Sequence, residues 1–221
     1  MSPELINLIA GAAGETIYMV AVSILIGTVC GLPLGIFLAT SGRGELFQSV
    51  LLNRMIGAVV NAARSTPFII LVVAIIPLTR LITGTSIGTT AAIVPLTLSV
   101  VPFIARITET AIREVDGGLI EASQAMGATP LQIVFKVLIP ESLPGITLGI
   151  TLSIVSLIGY SAMVGAVGGG GLGDVGIRFG YQRFMPEVML VVVIVLILLV
   201  QVVQTIGEML ARRVNKRQLR R

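Results

Sequence analysis

The chain has no histidine, no tryptophan and a single cysteine, Cys30, and only 12% of its 221 residues are charged. Each shortage closes off a class of chemistry. Without histidine there is no imidazole acid or base and no zinc site built on Cys and His. One cysteine cannot make an internal disulfide, and Cys30, inside an apolar run, reads as a small core residue. No catalytic group, metal site or cofactor is expected on this chain. A soluble domain carries about 25% charged residues. A surface this poor in charge calls for lipid as its solvent, in keeping with a mean hydropathy of +1.01. The net charge of +4 does not indicate nucleic acid, because the basic residues sit beside apolar runs, which is the mark of membrane orientation. The opening "MSPELINLIAGAAGE" lacks a basic segment and carries Glu4 and Glu15, so a cleaved signal peptide is not expected. A phosphate-cradling loop of the form G-x-x-x-x-G-K-[ST] is also missing. The two lysines, Lys136 and Lys216, do not follow glycine.

What is present is apolar sequence. A spanning helix takes roughly 20 mostly apolar residues, and five such stretches are expected, at 16–39, 55–82, 87–107, 145–167 and 188–210. The fold class is therefore all-α: a polytopic membrane protein whose whole length, 1–221, forms one transmembrane unit. Prolines inside the second and third stretches (Pro67, Pro77, Pro95, Pro102) do not argue against helices, since neighbouring helices re-satisfy the freed carbonyls. The glycines of "GTVCGLPLG", Gly27, Gly31 and Gly35, recur every fourth residue and let helices approach closely. Packing within the subunit is the simpler use of them, and contact between subunits the other.

Five spans put the two ends on opposite sides. Arg43, Arg54, Arg113, Lys136, Arg212, Arg213, Lys216, Arg217, Arg220 and Arg221 fall on one side, against Arg80, Arg178 and Arg183 on the other. The positive side is cytoplasmic, which puts the C-terminus inside and the N-terminus outside. The longest polar connection, 108–144, is then cytoplasmic. Within it "GLIEASQAMG" reads as a short helix ended by Gly127. "ATPLQIVFKVLIP" restarts with Thr129 as cap and Pro130 in the first turn. Leu131, Val134 and Leu138 are expected on one stripe, with Pro140 as terminator. The small residues Ala122, Ser123 and Ala125 suit a helix end that enters a partner's groove. From periodicity alone, a docking surface and an ordinary interfacial linker stand level.

Glu121, Ala122, Ser123 and Gly127, followed by Val137, Ile139 and Pro140, resemble the cytoplasmic "E-A-A, three residues, G, nine residues, I, one residue, L-P" signature of ATP-binding-cassette importer permeases. Ser123, Val137 and Ile139 depart from it while keeping size or character. The stretches "NAARSTPFIILVVAIIPLTRL", "VPFIARITETAIREV" and "GYSAMVGAVGGGGLGDVGIRFGYQRF" narrow the resemblance to the membrane subunits of methionine importers, over nearly the whole chain. The resemblance implies a homodimer of five-helix subunits in the bacterial cytoplasmic membrane. It also implies two ATP-binding cassette subunits that use ATP and Mg, docked on the signature loop, and an extracytoplasmic binding protein. The implied substrate is methionine, with the D-form and related derivatives as candidates. Permeases for another small amino acid or solute are the nearest alternative, an ion-coupled carrier or a membrane scaffold more distant ones.

Two further expectations come from the residues. Arg64, Arg106 and Glu109 lie near span ends and are expected to snorkel or pair, Arg106 with Glu109 one turn on. No acidic residue is expected at mid-span, which weighs against an ion-coupled carrier. A small zwitterion handed over by a binding protein needs little beyond a path, so no charged substrate site is expected in the spans. The outer gate is expected at Tyr160, Ser161 and Met163, with the glycine run after them as slack.

Overall fold

A computed structural model of the chain describes residues 3–215. The tail residues Lys216, Arg217, Arg220 and Arg221, counted in the charge asymmetry, lie outside the described residues. Ten α-helices occur among the described residues: α1 (Pro3–Thr40), α2 (Val50–Ser65), α3 (Phe68–Ala74), α4 (Ile76–Thr83), α5 (Thr89–Arg113), α6 (Gly117–Ala125), α7 (Pro130–Ile133), α8 (Ile139–Ala166), α9 (Gly171–Val175) and α10 (Pro186–Val214). Wider π turns cover Val134–Leu138 and Gly176–Gln182. Four helical stretches among the described residues are long and apolar enough to cross a membrane, or five if the bent pair α2–α3 is counted as one broken span.

The α1–α5 pair is the spine. Gly27, Gly31 and Gly35 all face α5, so the glycine ladder serves packing within the subunit. A Cβ at Gly31 would lie 2.9 Å from both the Ile104 side chain and the Val101 carbonyl, and one at Gly35 would overlap Thr108. In lipid there is no hydrophobic drive between helices, so this close approach is what makes the pair cohere. Around it Met19, Val20, Phe68, Leu96, Val100, Ile104, Leu157 and Ile158 form the main core from α1, α3, α5 and α8. On α1 the buried stripe is Ser23, Gly27, Gly31 and Gly35. Cys30 falls off it and is exposed, which corrects the core assignment made from its apolar surroundings.

The expected span 55–82 is three helices. Thr66 is extended (ψ 124°) ahead of Pro67, the conformation a following proline imposes, and α2 and α3 meet there at 102°. A second break precedes Pro77, and Gly84 closes α4 with φ +76°. Pro140, in contrast, does not end its helix. Pro130–Ala166 runs as one 37-residue stretch, because the backbone widens into the Val134–Leu138 π turn just before the proline. There the Ile139 N–H donates to the Val134 carbonyl, five residues back. A π turn re-registers the carbonyls that proline would leave without donors.

At the opposite end of the bundle, the expected slack glycine run is tightly packed. The Gly171 N–H donates to the Glu15 carboxylate (2.7 Å) and the Leu172 N–H to Thr16 Oγ1 (2.9 Å), so α1 caps α9. Leu172 is fully buried, and Gly171 has φ +74° with Thr16 and Met19 where a side chain would go. Gly165 and Ala162 pack against the Gly173 backbone of the same chain.

Gly31→Leu should destabilise the folded subunit by about 1–3 kcal/mol, the usual cost of overpacking, read as a lower melting temperature in detergent. Gly11→Ala, where a Cβ meets nothing within 4 Å, should leave it unchanged.

Candidate functional site

Between α5 and α8 the chain builds a compact polar elbow. Asp116 caps α6 by accepting from the Gly118 N–H at 2.9 Å. At its other end the Ala128 N–H donates to the Ser123 carbonyl (3.0 Å) and the Gly127 N–H to the Gln124 carbonyl (2.9 Å), with Gly127 at φ +80°. That pair of bonds is a Schellman cap, and its left-handed residue is the reason for glycine. The chain restarts through a capping box: the Thr129 N–H donates to Gln132 Oε1 (2.9 Å) and the Gln132 N–H to Thr129 Oγ1 (3.4 Å). The elbow is held to the bundle by Ala39, Ile112, Val115, Ile133, Val134 and Leu138. Ile133 takes the inward place expected for Leu131, which is 60% exposed. With its hydrogen bonds five residues apart, the π turn that follows turns Ile133 toward the face of Leu138.

The signature residues divide into two sets. Glu121, Ala122 and Gly127 are exposed on the elbow. Ser123 is buried, its hydroxyl donating to the Leu119 carbonyl (2.6 Å), and does not share the outer surface expected for it. Val137 and Ile139 pack against the elbow's apolar layer, while Pro140 starts α8. Sequence reading missed the exposed apolar side chains around the hinge: Leu119, Met126, Leu131 and Phe135, with Met126 80% exposed. In a chain this apolar they carry no contrast of their own; position next to a capped, polar elbow is the only signal.

Above the elbow, Glu109 is buried and binds two arginines, Arg106 at 2.6 Å and Arg113 at 3.0 Å. Arg113 also donates to the Leu38 carbonyl at 3.5 Å, tying the ends of α1 and α5. Arg64, by contrast, forms no ion pair with any described residue. Its guanidinium lies 6.0 Å from the Phe103 ring centroid, at a cavity of about 150 Å³ between α2, α3, α5 and α8. Tyr160 lines that cavity and stacks on Phe68, centroids 4.3 Å apart at 11°. Ser161 faces inward, donating to the Ile158 carbonyl at 2.7 Å, while Met163 is 47% exposed. The structure thus brings Tyr160 to the cavity and Met163 to an uncovered face, and puts Ser161 behind both.

Residues 31–216 match the family of binding-protein-dependent transport system inner membrane components. The chain belongs to that family. It is 54% identical over 211 residues to a probable D-methionine transport system permease protein of Vibrio cholerae, covering 96% of this chain and 94% of that protein. The probable D-methionine permease of Pasteurella multocida is 46% identical over 217 residues, 98% of this chain and 100% of that one. An inward-facing structure of the MetNI methionine ABC transporter superposes with a TM-score of 0.95 at 49% identity, over 98% of this chain and all of the other. As a permease the chain is a transport component and not an enzyme, and its elbow lies within the matched region.

Gly127→Val should strain the cap by about 1–2 kcal/mol, the cost of a left-handed conformation with a Cβ. Hydrogen exchange should quicken across 117–133 while α1 and α5 stay protected. Gly127→Asn should be milder, since Asn tolerates that conformation.

Proposed function

We propose that this permease carries methionine, in its L- and D-forms, across the bacterial cytoplasmic membrane. The observation that carries the reading is the match along essentially the full chain, at 49% identity, to the membrane subunit of a methionine ABC transporter. On this reading two copies form the pathway. Two ATP-binding cassette subunits, with their ATP and Mg, dock beneath, and an extracytoplasmic methionine-binding protein docks above. The N-terminus lies outside and the C-terminus inside, as the positive-inside bias argues.

The elbow suits the docking role. Its Ala122 and Gly127 present little bulk beside the exposed Glu121 carboxylate, and Leu119, Met126, Leu131 and Phe135 add exposed apolar side chains on the same segment. Buried Ser123, Val137, Ile139 and Pro140 support it from behind. The dimer reading has its own support along α8, where Leu148, Leu152 and Met163 stand 45%, 56% and 47% exposed on one face. A second copy of α8 meeting that face across the two-fold axis would set Met163 against its twin, an apolar plug that excludes water by dewetting. Tyr160 sits one turn below it.

Proteoliposomes holding this chain with its ATPase and binding protein should take up L- and D-methionine only with ATP inside the cassette compartment. Uptake of a different amino acid and not of methionine would overturn the substrate. For the gate, Met163→Cys in a Cys30→Ala background should crosslink between copies at rest, and less so with ATP and a hydrolysis-blocked ATPase. Crosslinks from another helix with none from position 163 would move the gate elsewhere.

A further inference from the structure

Beside the elbow lies a groove of about 410 Å³. Its walls come from the end of α5, the Val134–Leu138 π turn, the first turns of α8 and the last residues of α10. The floor is apolar, with Val115 buried and Val137 and Pro140 half-buried. Two carboxylates, Glu114 and Glu141, stand along it against one ammonium, Lys136. Glu114 is exposed and forms no ion pair with any described residue. The groove is therefore acidic, with an apolar base.

α10 ends inside this groove. Val214, its last residue, and Asn215 both line it. Because Val214 and Lys136 share the groove, the end of α10 and the elbow lie on the same face of the bundle. Asn215 leaves the helix with an extended backbone, ψ 93°. The sequence continues as Lys216, Arg217, Gln218, Leu219, Arg220 and Arg221, which is four cations and a leucine. Residues 216–221 reach at most about 20 Å from their starting point. A segment tethered over so short a distance meets its site at an effective concentration of about millimolar. Surface ion pairs too weak to recruit a separate partner are then enough to hold it. Anionic headgroups also attract basic segments. The groove is favoured over them because its carboxylates lie within reach of the first residues past Asn215, and Glu114 lacks a cation.

We propose that residues 216–221 dock in this groove, their cations on Glu114 and Glu141 and Leu219 on the apolar floor. Docked there, the segment straps the end of α10 to the elbow and to the π turn that leads into α8. The strap is a property of this chain alone and does not depend on what is transported.

The test uses the assembled transporter, with a photo-crosslinking benzoylphenylalanine in place of Gln218. Vesicles of zwitterionic lipid are compared with vesicles that also contain phosphatidylglycerol. In both, the label should fall within 111–119 and 136–145 of the same chain. Reversing the groove with Glu114→Lys and Glu141→Lys should cut that label by about three- to tenfold, the loss of two surface ion pairs. Amide exchange across 117–133 and in the last turn of α10 should quicken with it. Adding Arg217→Glu and Arg220→Glu restores the pairs in the opposite sense and should recover both readouts, which a merely misfolded variant would not. Label on the ATPase, label that passes to lipid when phosphatidylglycerol is present, or no protein label at all would each overturn the docking. Exchange left unchanged by the reversed groove would overturn the strap.

Discussion

The close approach of α1 and α5 is the constraint on which the rest depends. Lipid tails are as apolar as leucine, so burying apolar side chains between two spans gains little. What remains is shape, and Gly27, Gly31 and Gly35 supply it by letting α5 ride directly on the α1 backbone. That contact fixes where Val100, Ile104 and Thr108 lie. Through them it sets the groove that α8 and the broken helices α2 and α3 fill. The same tactic recurs where α10 meets α8, with Gly207 against Thr151. Most of α10 otherwise faces outward, only 6% of its most apolar window being buried, as fits a helix whose solvent is lipid.

Polar bonds fix the two ends of this spine, and they do so asymmetrically. At one end Glu15 and Thr16 accept from the first amides of α9, so the glycine-rich turn is held by α1 and cannot drift from it. At the other end Glu109, Arg106 and Arg113 form a cluster, and Arg113 reaches the last turns of α1 through the Leu38 carbonyl. Both clusters satisfy backbone or side-chain groups that would be expensive to leave bare in a low-dielectric setting. Between them the cavity among α2, α3, α5 and α8 is lined by hydroxyls and aromatic rings, with the exposed Arg64 among its lining residues.

How much of this was legible follows from what sequence encodes in a membrane. Apolar length and the all-α class were plain, because lipid demands both. The ends of the elbow's helices were legible, Gly127 as the terminating glycine and Thr129 as the cap, since caps are local chemistry. The inward face of each span was not. Lipid and core have the same polarity, so nothing in the pattern told that Cys30 points out or that Ile133 rather than Leu131 points in. The prolines were misread in both directions: Pro67 was expected inside a continuous span and Pro140 as a terminator. Pro67 did break its span and Pro140 did not, and the difference is the π turn before Pro140, which no residue type announces. The glycines after Val167 read as slack because composition cannot distinguish freedom from close packing.

The undivided stretch from Pro130 to Ala166 gives the reading of the elbow as a docking surface its mechanical content. One end of that stretch is the capped hinge at Gly127–Thr129; its middle carries Ser153 and Ser156 at the cavity; its far end carries Tyr160 and Met163. A hydrogen-bonded helix transmits displacement along its axis with little loss, so a subunit that moves the elbow moves the cavity wall and the outer apolar tip together. The stretch is braced at the Val134–Leu138 π turn by Ala39 from α1, Ile112 from α5 and Val115 just beyond α5. The brace makes the arrangement a lever with its pivot at the inner end of the spine. The spine itself stays rigid because glycine contacts leave α1 and α5 no alternative register. On this reading the moving elements are α8 and the α2–α3 bend that carries Arg64, which together wall the cavity.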